Sequence, residues 1–269
     1  MSDVVFFFVA AGGWNRGGSC EGIKLGVSLW LWHNARLLFT AGVIVMADDI
    51  SELAILKATE QPWQLLYQDE QLLVVNKPAM LLTVPGRHPD NFDCLISRVQ
   101  REFPQAQVVH RLDYDTSGLV ILPLTKAALS QISKQFQART VHKDYQALVS
   151  GMVNPAEGSI NLPIAADPER RPLYKICPQS GKASLTHYRT LSFDQSLQQS
   201  RLLLSPVTGR SHQLRLHLSA IGHAILGDSL YASTEVAAKA VRLCLHAAFI
   251  EFNHPVTGKR MQFSAAPEF

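Results

Sequence analysis

Val108-Val109-His110-Arg111-Leu112-Asp113-Tyr114-Asp115-Thr116-Ser117-Gly118-Leu119-Val120-Ile121-Leu122 organises the reading of this chain. Apolar Val108 and Val109 lead in and Leu119 to Leu122 lead out, so two strand-like runs are joined through charge. A tight hairpin would be closed by Gly, Asn or Asp. Here the connection carries His110, Arg111, Asp113 and Asp115 before Thr116-Ser117-Gly118. A carboxylate tethered between buried runs and flanked by cations is a candidate nucleophile or acid/base group, which singles out Asp113. The plainer reading is a charged turn capped by Asp115 and Thr116. Asp115-Thr116-Ser117-Gly118 is not an aspartic-protease signature, which needs Asp-Thr/Ser-Gly contiguous so that paired carboxylates share a proton.

The 269 residues suffice for one large domain or two small ones. With 47% hydrophobic and 17% charged residues, and no repeat or low-complexity tract, the composition is that of a soluble globular protein. A net charge of +3 neither demands nor excludes nucleic acid, so the placement of the cations decides. Cys20, Cys94, Cys177 and Cys244 are widely spaced without a C-x-x-C pair and read as reduced thiols of a cytoplasmic protein. Residues 1–45 differ in character: Phe6-Phe7-Phe8-Val9, a Gly-rich run to Gly18, then an apolar stretch broken by His33, Asn34 and Arg36. Asp3 stands where a signal peptide carries a cation. An Arg at a membrane midplane costs about 2.5–3.5 kcal/mol, so no membrane span is expected. Residues 1–45 are expected to be an extension outside the fold, with translation starting at Met46.

Short β-type runs at 65–67 and 72–75 predict a hairpin, ended by Asn76-Lys77-Pro78. Apolar periodicity predicts helices over 91–103, 126–138 and 211–221, the last capped by Ser211 and burying Leu214, Leu218 and Ile221. Strands are expected at 145–149, 184–192, 201–207, 244–252 and 260–264, with 154–182 as loops around one short strand. Many strands, few helices and no βαβ rhythm imply an α+β fold with a mixed, mainly antiparallel sheet.

Cations gather at Arg87-His88, Arg98 and Arg101, His110-Arg111, 134–143, 170–182 and 210–223. Their recurrence around strand ends suits an anionic partner filling a groove. Phe92, Tyr114, Tyr145, Tyr174 and Tyr188 are candidates to stack bases, although part of this set belongs to the core. In Thr208-Gly209-Arg210-Ser211-His212-Gln213-Leu214-Arg215-Leu216-His217, Arg215 follows a buried position and can reach inward toward a carboxylate. An Arg within about 4–6 Å would hold an Asp ionised. The alternative is a surface Arg on an amphipathic helix. His212 and His217 do not share a helix face, and no metal site is expected.

His110-Arg111-Leu112-Asp113-x-x-Thr116-Ser117-Gly118 resembles the central motif of the RluA-type pseudouridine synthases. The resemblance extends over 62–269. It is carried by Val74-Val75-Asn76-Lys77-Pro78, Lys143-x-Tyr145-x-Ala147-x-Val149-x-Gly151, Thr208-Gly209-Arg210-x-His212-Gln213-Leu214-Arg215-x-His217, Gly222-His223-x-Ile225-x-Gly227-Asp228 and Leu243-x-Leu245-His246-Ala247, all in family order. Val84-Pro85-Gly86-Arg87, Phe103-Pro104-Gln105-Ala106 and the 263–269 ending resemble one branch of that family in particular. Met80 and Ala224 depart from the usual Gly and Pro, and Met80 puts the 78–86 loop in question.

The resemblance implies a pseudouridine synthase fold, a mixed sheet with flanking helices and a central catalytic cleft over 62–269. Residues 46–61 would be a short N-terminal segment with no S4 domain. It implies isomerisation of uridine to pseudouridine in RNA, with Asp113 as nucleophile or base, Tyr145 against the flipped uracil and Arg215 paired with Asp113. Arg111 would displace the target base from its stack, and His110, Arg87, Arg210 and His212 would contact RNA. The implied substrates are a 23S ribosomal RNA hairpin and the anticodon stem-loop of some tRNAs. No cofactor or metal is implied, and a monomer is expected. The alternatives are another rRNA or tRNA uridine, a non-catalytic RNA-binding module, and a glycoside hydrolase, which would need a second carboxylate better placed than Asp115.

Overall fold

The computed structural model describes residues 38–40, 43–45 and 54–269. The chain divides into two units, residues 1–49 and 50–269. In the first, β1 (Leu38–Thr40) pairs antiparallel with β2 (Val43–Val45). The other expectations for residues 1–53, including the extension and the start at Met46, lie outside the described residues. Among those described, no helix is long and apolar enough to cross a membrane.

In the second unit, β3 (Gln64–Gln68) and β4 (Leu72–Lys77) form the expected hairpin. Asp69 shapes its turn by accepting from the amides of Gln71 and Leu72 at 2.7 and 2.9 Å. The helix expected over 91–103 is shorter. A 3-10 turn at Pro89–Phe92 precedes α1 (Leu95–Val99), and the chain then turns toward Pro104, which disfavours helix in the residue before it. Residues 107–116 are loop, so Val108-Val109 is not a strand, and β5 (Ser117–Pro123) starts only after the charged segment. Then come α2 (Lys126–Gln137), capped by the Thr125 hydroxyl on the Ala128 amide, and β6 (His142–Ser150).

The 154–182 region holds three short strands rather than one: β7 (Glu157–Asn161), β8 (Ile164–Ala166) and β9 (Tyr174–Ile176). β7 is polar and contains Gly, and β8 and β9 are only three residues each, so they carry little strand signal, and pairing with other strands fixes them. After β10 (Leu185–Asp194) and β11 (Gln199–Pro206) comes α3 (Gln213–Ala220). Ser211 does not cap it. His212 occupies the cap position at φ +55 with no side-chain cap bond. Nor is α3 amphipathic: residues 213–218 are all buried. A short α4 (Thr234–Ala237), β12 (Leu245–Asn253) and β13 (Arg260–Ser264) complete the chain.

The main sheet runs β3-β4-β5-β12-β6-β11-β10-β7, with β13 on β12; β8 and β9 pair separately. Every pairing is antiparallel except β5 with β12. This is the α+β, mainly antiparallel architecture expected. Three apolar clusters cover it. Leu73, Val75, Val120 and Leu122 pack under α1; Leu72, Val74, Leu119 and Ile121 pack with Ile132 of α2; Ala147, Val149, Leu202 and Leu204 pack with Leu214 and Leu218 of α3.

Candidate active site

Two antiparallel half-sheets are joined only where Ser117 and Gly118 of β5 meet His246 and Ala247 of β12. Gly118, at φ +118, is required at this seam. A Cβ there would stand 2.4–2.8 Å from the backbone O, N and C of Ala247. Ser117 is locked beside it: its hydroxyl donates to His246 Nδ1 at 2.8 Å and accepts from Arg242 Nη1 at 3.2 Å. His246 Nε2 in turn donates to the Ala265 carbonyl at 3.1 Å. The Thr-Ser-Gly end of the loop is therefore anchored by the sheet junction itself.

The residues around Asp113 are pinned one by one. Thr83 Oγ1 donates to the Leu112 carbonyl at 2.8 Å and accepts from the Leu112 amide at 3.1 Å. The Asp113 carbonyl accepts from the Thr116 amide at 3.2 Å. The Tyr114 carbonyl accepts from the Leu81 amide at 3.1 Å and from Lys77 Nζ at 3.4 Å. Lys77 also donates to the carbonyls of Pro78 and Leu81 at 2.9 and 2.7 Å and is fully buried. Burial pulls the Lys77 pKa down to about 7 against the opposing pull of Asp113 and Asp115. Met80 holds the 78–86 loop at φ +56, the left-handed conformation that Gly would adopt without strain.

Asp113 is half-buried, and its charge acts on Lys77, Asp115, Tyr145, His212, Arg215 and Tyr231. Arg215 is not its direct partner. The guanidinium donates through Nε and Nη2 to Asp228 at 2.9 and 2.6 Å, and through Nη1 to Asp115 at 3.4 Å. Burial works against the charge of Arg215, but Asp228, Asp115 and Asp113 outweigh it and hold it ionised. Asp115 carries the opposite bias, because burial raises its pKa more than Arg215 lowers it. Among the described residues no cation lies within ion-pair distance of Asp113.

Tyr145 lies on β6 opposite Ala247 of the seam strand, and its ring packs between the clusters under α1 and α3. Burial, reinforced by Asp113, pushes its phenol well above the ordinary range and keeps it protonated. His212 faces the same centre. Its Nδ1 hydrogen-bonds the Tyr231 hydroxyl at 2.7 Å, and its ring meets Tyr174 edge-on at 5.3 Å. Tyr231 lies over Arg215, with 5.5 Å from ring centre to guanidinium.

Gln213 sets the approach to α3. Its Oε1 accepts from the Thr208 hydroxyl and Arg210 amide at 2.8 and 3.0 Å, and its Nε2 donates to the Leu185 carbonyl and Thr186 hydroxyl. Of the other expected contacts, Arg111 and Arg87 are exposed and Arg210 half-buried. His110 turns inward instead. Its Nε2 accepts from the Ile121 amide at 2.9 Å, its ring stacks on Phe136 at 4.7 Å, and burial pushes its pKa down to about 3. That ring fastens the loop to β5. Lys77, Asp228, Tyr231 and Gln213 went unassigned by the sequence reading, although three of the four lie inside segments it quoted; no spacing rule reveals that their side chains converge.

The sequence profile of the RNA pseudouridylate synthase family matches residues 71–220. The chain is 46% identical over 211 residues to the dual-specificity RNA pseudouridine synthase RluA of Escherichia coli K12, covering 78% of this chain and 96% of that protein. It is 48% identical over 204 residues to the RluA of Yersinia pestis, covering 76% and 98%. Among solved structures, it is similar to human RNA pseudouridylate synthase domain containing 1, with a TM-score of 0.68 and 28% identity over 79% of this chain and 86% of that one. The chain belongs to the RNA pseudouridylate synthase family. It is an isomerase that acts on RNA.

Proposed function

We propose that this pseudouridine synthase modifies two RNAs, a hairpin of 23S ribosomal RNA and the anticodon stem-loop of tRNA, in the cytoplasm, with Asp113 as the reacting carboxylate. The observation that carries the site assignment is the division of labour among three acids. Asp228 and Asp115 are taken up by Arg215, whereas Asp113 keeps both oxygens without a cation at ion-pair distance among the described residues. The dual target rests on the likeness to proteins named for dual specificity.

The uridine must leave its stack to reach Asp113, because neither the bond broken nor the bond formed is accessible in a stacked base. Exposed Arg111, two residues before Asp113, is the group proposed to displace the target base from its stack. The N1–C1′ bond breaks, uracil turns against Tyr145, and C5 bonds to C1′. The proton lost from C5 is matched by the one gained at N1, so the reaction is redox-neutral. Asp113 acts either by attack at C1′ or by removing a sugar proton. Tyr145, held protonated mainly by burial, is a neutral wall for the base, and it takes the C5 proton only as it gives up its own phenolic proton. Arg215 acts as a fixed positive charge behind the carboxylates.

Tritium release from RNA labelled at uridine C5 tests this reading. The wild type is expected to release tritium from both stem-loops, and Asp113→Ala to bind them and release none. Release by Asp113→Ala would remove Asp113 from the chemistry; binding without wild-type turnover would favour a non-catalytic module. Turnover of only one of the two stem-loops would end the dual assignment.

A further inference from the structure

Beside the catalytic loop lies a second concavity of about 310 Å³, whose wall includes Arg139, Lys143 and Arg210 but no Asp or Glu. The Lys143 ammonium stands 5.8 Å from the centre of the Phe136 ring. That ring stacks on His110 at 4.7 Å, so the cavity shares a wall with the segment that carries Arg111 and Asp113. A Cβ on Gly209 would meet Lys143 Nζ at 3.9 Å, which places the 208–210 backbone beside the ammonium. The four hydrogen bonds of Gln213 fix that backbone in advance.

Among the described residues no carboxylate comes within ion-pair distance of Arg139, Lys143 or Arg210, and Arg210 reaches only the Ala183 carbonyl, at 3.4 Å. Burial lowers the Lys143 pKa, a cost that an anion in the cavity would offset. Arg139 is the least expected member. It follows the C-cap of α2 at φ +58, where the Arg139 amide donates to Phe136 O at 3.2 Å and the Thr140 amide to Gln135 O at 3.0 Å. That closing pattern favours Gly in the left-handed position. An Arg there accepts backbone strain and adds a third positive charge to the cavity. A larger cavity of about 620 Å³ lies toward the opposite ends of β4 and β12, but its wall mixes Asp69 and Glu70 with His254 and Arg260 and lacks this bias.

We propose that this cavity binds a backbone phosphate of the substrate RNA next to the flipped uridine, held by Lys143, Arg139 and Arg210. The inference rests on the pseudouridine synthase reading. Lys143 precedes Tyr145 by two residues on β6 and therefore faces the same side, about 7 Å along the strand. That separation is the scale of one nucleotide, so a phosphate held here would set the register of the base entering against Tyr145.

The test compares wild type, Lys143→Met and Arg139→Gly in two assays: equilibrium binding of a substrate stem-loop RNA across a salt series, and tritium release. Lys143→Met is expected to raise KM about tenfold with kcat within about twofold. It should also make the slope of log affinity against log salt shallower by about 0.7–0.9, the loss of one phosphate contact. Arg139→Gly should also raise KM while its Tm stays level or rises, a combination that a purely structural role would not give. Wild-type KM and salt slope in both folded variants would overturn the proposal, as would a fall in kcat with KM unchanged. If Lys143→Met fails to fold, Arg139→Gly decides alone. Wild-type protein that releases no tritium from any uridine RNA would instead overturn the enzymatic reading, and the salt slopes would still report on the phosphate site.

Discussion

Asp228 holds Arg215 in a two-point grip, accepting from Nε at 2.9 Å and from Nη2 at 2.6 Å, with both side chains almost wholly buried. Oδ1 of Asp228 also accepts from the amides of Leu230 and Tyr231, at 2.9 and 3.1 Å. The guanidinium therefore cannot swing toward Asp113, and only Nη1 is left to touch Asp115. A fixed charge behind a free carboxylate is the electrostatic frame of this site.

Asp228→Asn should destabilise the protein by about 3–5 kcal/mol, because it strands a buried guanidinium. Asp115→Asn should cost much less, since Asp115 is 27% exposed and its contact with Arg215 is 3.4 Å. Urea unfolding of the two variants checks the order. Equal losses would mean that Arg215 depends on both acids alike.

Gly118→Ala should be among the most damaging single-methyl changes, at least about 3 kcal/mol, from a strained φ and a backbone clash together. The added Cβ meets backbone of the neighbouring strand, not a side chain that could move aside. Loss of tritium release along with stability is expected, since the half-sheets must part. A soluble variant with wild-type Tm would show that the seam is looser than its geometry implies.

Met80→Gly should leave stability unchanged or raise it by up to about 1 kcal/mol. The left-handed backbone at φ +56 costs a side chain about 1–2 kcal/mol, and Gly returns part of that gain as unfolded-state entropy. Thermal unfolding of the variant is the measurement. A clear drop in Tm would mean that the Met side chain contributes packing that outweighs the strain.

Buried basic groups shape both ends of the pH profile. Lys77 has a folded pKa of about 7, below its unfolded value of 10.5, so the unfolded chain binds more protons between these limits. Stability should therefore rise from pH 7 toward 10, by at most about 1.4 kcal/mol per pH unit. Lys77→Met should flatten that rise, and parallel wild-type and variant curves would contradict it.

His110 and His246, held down to about 3 and about 4 by burial, act at the acid end. Below pH 6.5 the unfolded chain takes up protons that the fold refuses, so stability should fall as pH drops from 6.5 toward 3. His110→Phe keeps a ring on Phe136 but loses the acceptor for the Ile121 amide. Its stability at pH 7 should drop, and its further loss on acidification should be shallower than in wild type.

How far the sequence reaches is visible at particular residues. It marked the 110–118 segment because carboxylates between apolar runs are chemically conspicuous, with the family resemblance pointing to Asp113, and it found β3, β4, β6 and β10 to β13 because apolar alternation is a local property. It placed a strand at Val108-Val109 because an apolar pair looks the same in a packed loop. It took α3 for an amphipathic helix because no local pattern reveals that Arg215 and His217 are satisfied by Asp228, Thr186 and Leu162 on other elements.

By itself, then, the sequence determined the α+β class, written in residue types and short spacings, and through its family resemblance it implied the reaction. The tertiary structure decided which acid is free. Asp113 and Asp115 are two residues apart and alike in charge. Only the fold, by bringing Asp228 and Arg215 together behind them, commits Asp115 to an ion pair and leaves Asp113 open. That choice depends on contacts between residues about a hundred positions apart, made possible where Gly118 lets two half-sheets join.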